Sequence, residues 1–173
     1  MPTNPTNIFN QQIVKVKAAL KTLPVLAGNE VVNFSKEAFR KQGWLGVTFQ
    51  PWRPRKASHW GKATPRNKGR AILMDKGRLR RSIRVVSATA DMVTVGTDVP
   101  YAKAHNNGLR LGVIQQVKSF SRKGKGGKVQ TVKAHTRRVN MQMPQRQFLG
   151  DSPYQTKRIE RVIALTIMKA LNG

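Results

Sequence analysis

The sequence contains no cysteine, few acidic residues and no long hydrophobic run. The absence of cysteine excludes a disulfide framework, a thiolate metal site and a cysteine nucleophile, and it suits a reducing cytoplasm. No window approaches the roughly 18 consecutive apolar residues of a membrane-spanning helix. The first residues, MPTNPTNIFNQQ, lack the basic and apolar regions of a signal peptide. We therefore expect a soluble chain that is made and kept in the cytoplasm, without membrane contact.

The scarcity of acidic residues argues against catalysis. Nucleases hold divalent ions with clustered carboxylates, but the seven acids are scattered and none lies between Asp98 and Asp151. His59, His105 and His135 lie far apart without acidic partners at metal-ligand spacing. Ser82 lacks the GxSxG setting of an activated serine. We expect no catalytic residue, metal, cofactor or small-molecule substrate.

Basic residues are abundant but unevenly distributed. The 33 Lys and Arg against seven acids give a formal net charge of +26. Residues 40–84 carry +13 and residues 116–150 carry +9, whereas 1–39, 85–115 and 151–173 carry +2, 0 and +2. This pattern indicates a nearly neutral scaffold with two basic elements. Such elements bind polyanions or merely keep a surface solvated, and the excess of charge favours binding.

The periodicity of apolar residues predicts one α+β domain over residues 1–173, beginning with a flexible tail at residues 1–7. Helical spacing runs from Ile8 to Leu23, where Pro24 is expected to end the helix. A second helix is predicted over Val31–Phe39, after a break at Gly28 and Asn29. A C-terminal helix is predicted from Tyr154, with its apolar face packed on a sheet.

Two β-hairpins are predicted between the helices. The β-rich runs 83–86 and 92–95 are joined by a short polar connection and form the first hairpin. The second, over residues about 112–140, has a turn rich in glycine and lysine and is expected to extend from the body as a basic arm. We expect an antiparallel sheet of four or so strands, including this arm, packed against the N-terminal helices and the C-terminal helix.

Residues about 43–71 hold all three tryptophans and read as an irregular basic loop. Trp44, Trp52 and Trp60 either anchor this loop to the core or form a base-stacking set, and anchoring is the more common role. The basic arm has few aromatic residues for stacking single strands, apart from Phe120. Duplex DNA or acidic protein is therefore its expected partner.

Four sequence motifs occur in a fixed order: GVTFQPWRP (motif 1, 46–54), ILMDKGRLRRSI (motif 2, 72–83), VGTDVPYAKAHNNG (motif 3, 95–108) and MPQRQFLGDSP (motif 4, 143–153). Together they resemble the virion morphogenesis, or tail completion, family of tailed bacteriophages. The resemblance implies a structural virion protein, without catalysis. It also implies that the matched residues determine the fold and the subunit interface: Trp52, Gly77, Leu79, Arg80, Ser82, Ile83, Gly96, Tyr101, Ala102, His105, Gly108, Pro144, Arg146, Phe148 and Leu149.

The same resemblance implies a location in the virion, at the neck or the head-proximal end of the tail. The expected partners are further copies in a ring, commonly of six, the phage connector or adaptor, tail terminator and tail tube proteins, and duplex DNA in the channel. The residues expected to contact DNA or acidic partners are Lys118, Arg122, Lys123, Lys125, Lys128, Lys133, Arg137 and Arg138.

Within GRLRRSIRVV, Gly77 is expected to permit a turn, with Leu79 and Ile83 inward and the arginines facing solvent or a neighbour. We expect Arg80 to cross to a neighbouring subunit. The segment from Lys118 to Arg138 is expected to be mobile alone and to become ordered against a partner or DNA. The alternative function is that of a general nucleic-acid-binding protein, ribosome-associated or nucleoid-type, acting through its basic segments.

Overall fold

The first element is one long helix, α1, over Pro5–Lys41. It is seen in the computed structural model, which describes residues 5–55, 69–124 and 127–172. The prediction of two helices separated at Pro24 was wrong, because Pro24 lies inside α1. A proline within a helix costs about 3 kcal/mol, and burial of the following turns against the core offsets that cost. Residues 5–7 of the predicted tail belong to α1.

Gly28 explains why the helix continues through the predicted break. It is buried in α1, where a Cβ would lie 2.7 Å from Val93 Cγ2 and 2.8 Å from Val85 Cγ2. Glycine at this position therefore allows a β-hairpin to approach the helix closely, and it does not end the helix. The hairpin consists of β3, Arg84–Ala88, and β4, Val93–Gly96, as predicted from the sequence.

Two short strands follow α1. Strand β1, Gly43–Leu45, pairs antiparallel with β2, Phe49–Pro51, inside the stretch 43–71 that was expected to be irregular. The backbone N–H of Trp52 then donates to Gln42 O at 2.8 Å, which returns the chain to the end of α1. Residues 56–68, including His59 and Trp60, lie outside the described part of the chain.

Two short helices, α2 over Arg78–Ser82 and α3 over Ala102–Asn107, flank the β3–β4 hairpin. The arginines of GRLRRSIRVV were expected at the start of a strand, but the first three lie on α2 and only Arg84 lies on β3. The left-handed φ of 70° at Gly77 makes the turn into α2, as predicted.

The region after α3 forms two antiparallel ladders. Strand β5, Leu109–Val117, pairs with β8, His135–Met143, and inside them β6, Phe120–Lys123, pairs with β7, Val129–Val132. This segment is therefore a hairpin, with pairing over 109–143 where about 112–140 was expected. The extension of this hairpin from the body as an arm stays a prediction.

The strands do not join into the single sheet of four or so strands that we expected. The described strands form four separate two-stranded ladders, β1–β2, β3–β4, β5–β8 and β6–β7. Helix α1 packs on strands β1, β3 and β4 and so connects two of these ladders. The fold class is α+β, with small antiparallel sheets and helices at both ends of the sequence.

The last helix, α4, spans Pro153–Asn172 and packs on α1, where we expected it to pack on a sheet. Arg158 joins the two helices by ion pairs to Glu30 at 2.5 Å and Glu37 at 2.9 Å, and its guanidinium lies over the ring of Phe34 at 5.6 Å. Burial alone would raise the pKa of Glu37, but the hydrogen bond and charge of Arg158 lower it overall. The prediction that α4 packs on a sheet was wrong, because α4 makes its packing contacts and its ion pairs with α1.

The core lies where α1, the segment after it, α2 and motif 4 meet. Phe39 contacts both Trp52 and Phe148, with ring centroids 5.2 Å apart in each pair, and Phe34 meets Trp44 edge to face at 5.2 Å. Trp44 and Trp52 are buried, so they anchor their segment to the core and are not an exposed stacking set.

Candidate functional site

The four sequence motifs meet at one place in the fold. Motifs 3 and 4 are joined by Asn106 on α3. Its Oδ1 accepts the backbone N–H groups of Phe148 and Leu149, both at 2.9 Å, and its Nδ2 donates to Leu149 O at 3.0 Å. A short helix therefore fixes the backbone of a loop more than 40 residues away in sequence.

Motif 1 joins the same loop through Trp52 and Arg53. The indole Nε1 of Trp52 donates to Gln147 O at 2.8 Å. Arg146 donates to Arg53 O through Nε at 3.2 Å and Nη2 at 3.1 Å, and its backbone N–H donates to His105 O at 2.7 Å. Arg146 is thus a hub between motifs 1, 3 and 4.

Motif 2 joins them through the core and one hydroxyl pair. Leu79 and Ile83 are almost fully buried, as expected, in the cluster that contains Phe148. Ser82 Oγ lies 2.6 Å from Thr97 Oγ1 of motif 3 and donates to Leu79 O at 2.8 Å. Ser82 therefore connects the last turn of α2 to motif 3.

The arginines around motif 2 have different surroundings. Arg80 is half-buried, whereas Arg78, Arg81 and Arg84 are exposed. Arg81 donates to Lys76 O at 2.7 Å, and Arg84 forms an ion pair with Asp98 at 3.0 Å. The pKa of Asp98 is lowered by its own backbone hydrogen bond and by Arg84.

Motif 3 supplies a buried face and an exposed ring. Ala102 is buried, Gly96 and His105 are half-buried, and the Tyr101 ring is exposed and meets the His105 ring edge to face at 5.9 Å. Burial and the charge of Arg146 lower the pKa of His105. Gly108 has a φ of 75° and a Cβ there would lie 3.1 Å from Gln145 N, so glycine is needed.

Motif 4 supplies the most buried residue of the site. Phe148 is completely buried and Arg146 is 7% exposed, while Pro144 and Leu149 are half-buried. Burial and the neighbouring charge of Arg55 lower the pKa of Arg146. These placements make the motif residues determinants of the fold, and their role in a subunit interface stays a prediction.

The basic residues of the hairpin lie apart from this junction. All of the following are exposed: Lys118, Arg122, Lys123, Lys128, Lys133, Arg137 and Arg138. Lys125 lies outside the described residues. Arg137 donates to Gln115 Oε1 through Nε at 3.0 Å and Nη2 at 2.8 Å. No ion pair to a carboxylate is present along this hairpin in the described residues, so its charge faces outward.

Three structural residues were missed by the sequence reasoning. Asn106 stands inside motif 3, but only the fold shows its bonds to motif 4. Ser152 donates to Leu45 O at 2.6 Å and caps α4, and the pair Ser152–Pro153 is a helix-start signal that could have found it. Arg158 forms ion pairs with Glu30 and Glu37 of α1, and no local sequence signal indicates these long-range pairs.

Comparison with known families agrees with the motif order. The sequence model of the phage virion morphogenesis family matches residues 6–167, which is nearly the whole chain. The chain belongs to the phage virion morphogenesis family. Comparisons with curated proteins and with solved structures gave no significant match.

Membership in this family gives the protein a structural role in phage assembly and an association with the virion. The family suggests a non-enzymatic protein. Among the described residues no helix is long and apolar enough to cross a membrane, and no three His, Asp or Glu side chains group as metal ligands.

Proposed function

We propose that this phage virion morphogenesis protein completes the tail, or joins head to tail, at the neck of the virion. Copies associate in a ring, of six in the arrangement implied by the motif resemblance, and dock to connector, adaptor, tail terminator or tail tube proteins around the DNA channel. The match to the virion morphogenesis family over residues 6–167 carries this proposal.

Exposed apolar side chains support association with other proteins. On α1, Phe9, Val14 and Leu20 are exposed, and on α4 so are Leu165 and Met168. Apolar side chains repeated along two paired helices give a surface that a simple charge-driven binder does not need. We propose that these exposed apolar side chains contact other copies of the chain or neck proteins.

The charge of a ring limits what DNA alone can neutralise. Six copies would carry six times +26, or +156. A collar about 40 Å deep encloses only about two dozen phosphate charges of duplex DNA, at one per roughly 1.7 Å. Most of the excess is therefore screened by salt or faces acidic surfaces of neighbouring proteins. The exposed cations of the 109–143 hairpin are the residues we propose for these contacts, with DNA or with acidic protein.

Measurement of native mass tests self-association. At low and high salt, with and without duplex DNA, we expect discrete oligomers that resist salt. A monomer that binds DNA with a steep salt dependence would instead support the alternative function of a general nucleic-acid-binding protein, which the exposed hairpin cations favour. An image of the particle with this chain placed at the neck would test the location directly.

Arg80→Glu tests the proposed interface residue. Arg80 is half-buried on α2 and has no ion pair within the described residues. We expect a folded monomer that does not assemble. The control is Lys103→Glu, which makes the same charge change at an exposed position on α3 and should assemble normally. Unchanged assembly of Arg80→Glu would remove Arg80 from the interface.

The segment from Lys118 to Arg138 is proposed to become ordered on a partner. Limited proteolysis of the free protein should cut within it, and added duplex DNA or an assembled ring should protect it. Full protection in the free monomer would contradict this.

A further inference from the structure

Two adjoining cavities share Arg55 and Arg146. One, of about 250 Å³, lies between residues 53–55 and the end of β8 at Gln142 and Pro144. The other, of about 510 Å³, has an apolar wall formed by residues 72–74 and Leu79. Because the same two arginines line both, we treat them as one site, the Arg55–Arg146 pocket.

Neither arginine forms an ion pair with a carboxylate of the described residues. Arg146 is 7% exposed, and within the described ranges its side chain donates to Arg53 O, at 3.2 and 3.1 Å. Arg55 donates to Arg70 O and Ala71 O, both at 2.8 Å. Carbonyl oxygens satisfy N–H groups but do not neutralise charge. A buried cation without a counterion is unfavourable, so the pocket attracts an anion.

His105 adds a third group with unmet bonding capacity. It lines the larger cavity, and its Nδ1 is buried without a hydrogen-bond partner in the described part of the chain. The other charged groups that line the same cavity are Asp75, Lys76 and Arg78. Asp75 is ion-paired with Arg70. The cations outnumber the acid on this wall.

We propose that the Arg55–Arg146 pocket binds the carboxylate of an acidic side chain presented by a protein partner. Arginine forks pair with carboxylates in two parallel hydrogen bonds. The apolar wall at 72–74 and Leu79 would cover the aliphatic stem of the same residue. Duplex phosphates lie on the outside of a convex rod, which fits the exposed hairpin cations better than a recessed cavity.

This proposal deepens the proposed function, since it gives the chemistry of a neck partner and uses a site separate from the hairpin. The test is done on the isolated full chain, so it does not depend on virion assembly. Failure of peptide binding would leave the neck location untouched, and failure to find the protein at the neck would leave the peptide result standing.

The experiment follows His105 by NMR while a penta-glutamate peptide is added. A carboxylate bound beside the ring favours the imidazolium, so the pKa of His105 should rise, and the rise should saturate. Arg55→Gln removes a cation that pairs with the carboxylate, so it should weaken binding about tenfold or more and remove the rise in the pKa of His105. Because Arg55 is exposed, this variant should still fold. Arg55→Lys, which keeps the charge without the fork, should bind with intermediate affinity.

Three controls separate this pocket from general attraction to a +26 chain. Lys15→Gln removes one exposed cation of α1 that lines neither cavity, and it should leave both the affinity and the His105 response unchanged. Penta-glutamine should not bind. A short DNA duplex should not raise the pKa of His105 as the peptide does. Peptide binding without any response of His105, or an equal response to the duplex, would overturn the proposal.

Discussion

Asn106 holds two backbone N–H groups and one carbonyl of motif 4, which makes it a sensitive position at the scale of a single residue. Asn106→Ala leaves the N–H groups of Phe148 and Leu149 without acceptors in a partly buried site. We expect a loss of about 2–4 kcal/mol in the free energy of unfolding. Urea denaturation measures it.

The control for Asn106 is Asn33→Ala, at an exposed position of α1. It removes the same atoms where they make no hydrogen bond within the described residues. Its stability should stay within about 0.5 kcal/mol of the parent protein. Equal losses in the two variants would show that the bonds of Asn106 do not stabilise motif 4.

His105 gives the site a predictable pH dependence. Burial and the charge of Arg146 lower its pKa in the folded protein. The unfolded chain then binds more protons below about pH 6.5, the ordinary histidine value. The stabilisation is therefore present above that pH and is lost as pH falls through the folded-state pKa. His105→Gln should flatten the decline in stability between about pH 7 and pH 5, measured by denaturation at several pH values.

His135→Gln is the matched histidine control, since His135 is exposed on β8. It should show the same decline as the parent protein. If His105→Gln also declined like the parent, another group would be responsible for the acid sensitivity.

At the scale of elements, the contact of α1 with the β3–β4 hairpin depends on the absence of a side chain at Gly28. Gly28→Val places atoms where Val85 and Val93 already lie, less than 3 Å from the new Cβ. The clash should lower the free energy of unfolding by about 1–3 kcal/mol even though valine favours the helix more than glycine does. Thermal and urea unfolding measure the change.

Val93→Ala provides the complementary variant. Alone it removes packing and should destabilise the protein. Combined with Gly28→Val, it makes room for the new side chain. The double variant should therefore lose less free energy of unfolding than the two single variants lose in total. Simple additivity would mean that Gly28 and Val93 do not compete for the same space.

Local patterns predicted the β3–β4 hairpin and the C-terminal helix, because alternation and helical spacing are properties of neighbouring residues. They failed at Pro24 and Gly28, where the buried face of α1 decides the outcome. The sequence order of the motifs indicated that they act together. Their junction could not be predicted, since Asn106 and Phe148 meet only after the chain has folded. The pairing of α4 with α1 has the same long-range origin.

At the scale of the whole molecule, one of the two basic elements lies on an exposed hairpin, while several motif residues lie in the core. The hairpin cations should therefore dominate binding to duplex DNA, although they are a minority of the 33 basic residues. The described part of α1 offers a matched comparison, since Lys15, Lys17 and Lys21 are also exposed. Changing three cations to glutamine at either place lowers the formal net charge equally, from +26 to +23.

Replacing Arg122, Lys123 and Lys128 with glutamine should weaken binding to a 20-base-pair duplex. Each lost phosphate contact lowers the slope of log affinity against log salt by about 0.9, so the slope should fall by up to about 2.7. The α1 triple variant should change it by less than about 1. Fluorescence anisotropy at several salt concentrations measures both slopes. A localised contact would make the slope depend on where the cations lie. Equal slopes in the two variants would therefore show that DNA binding depends only on the total charge of the chain.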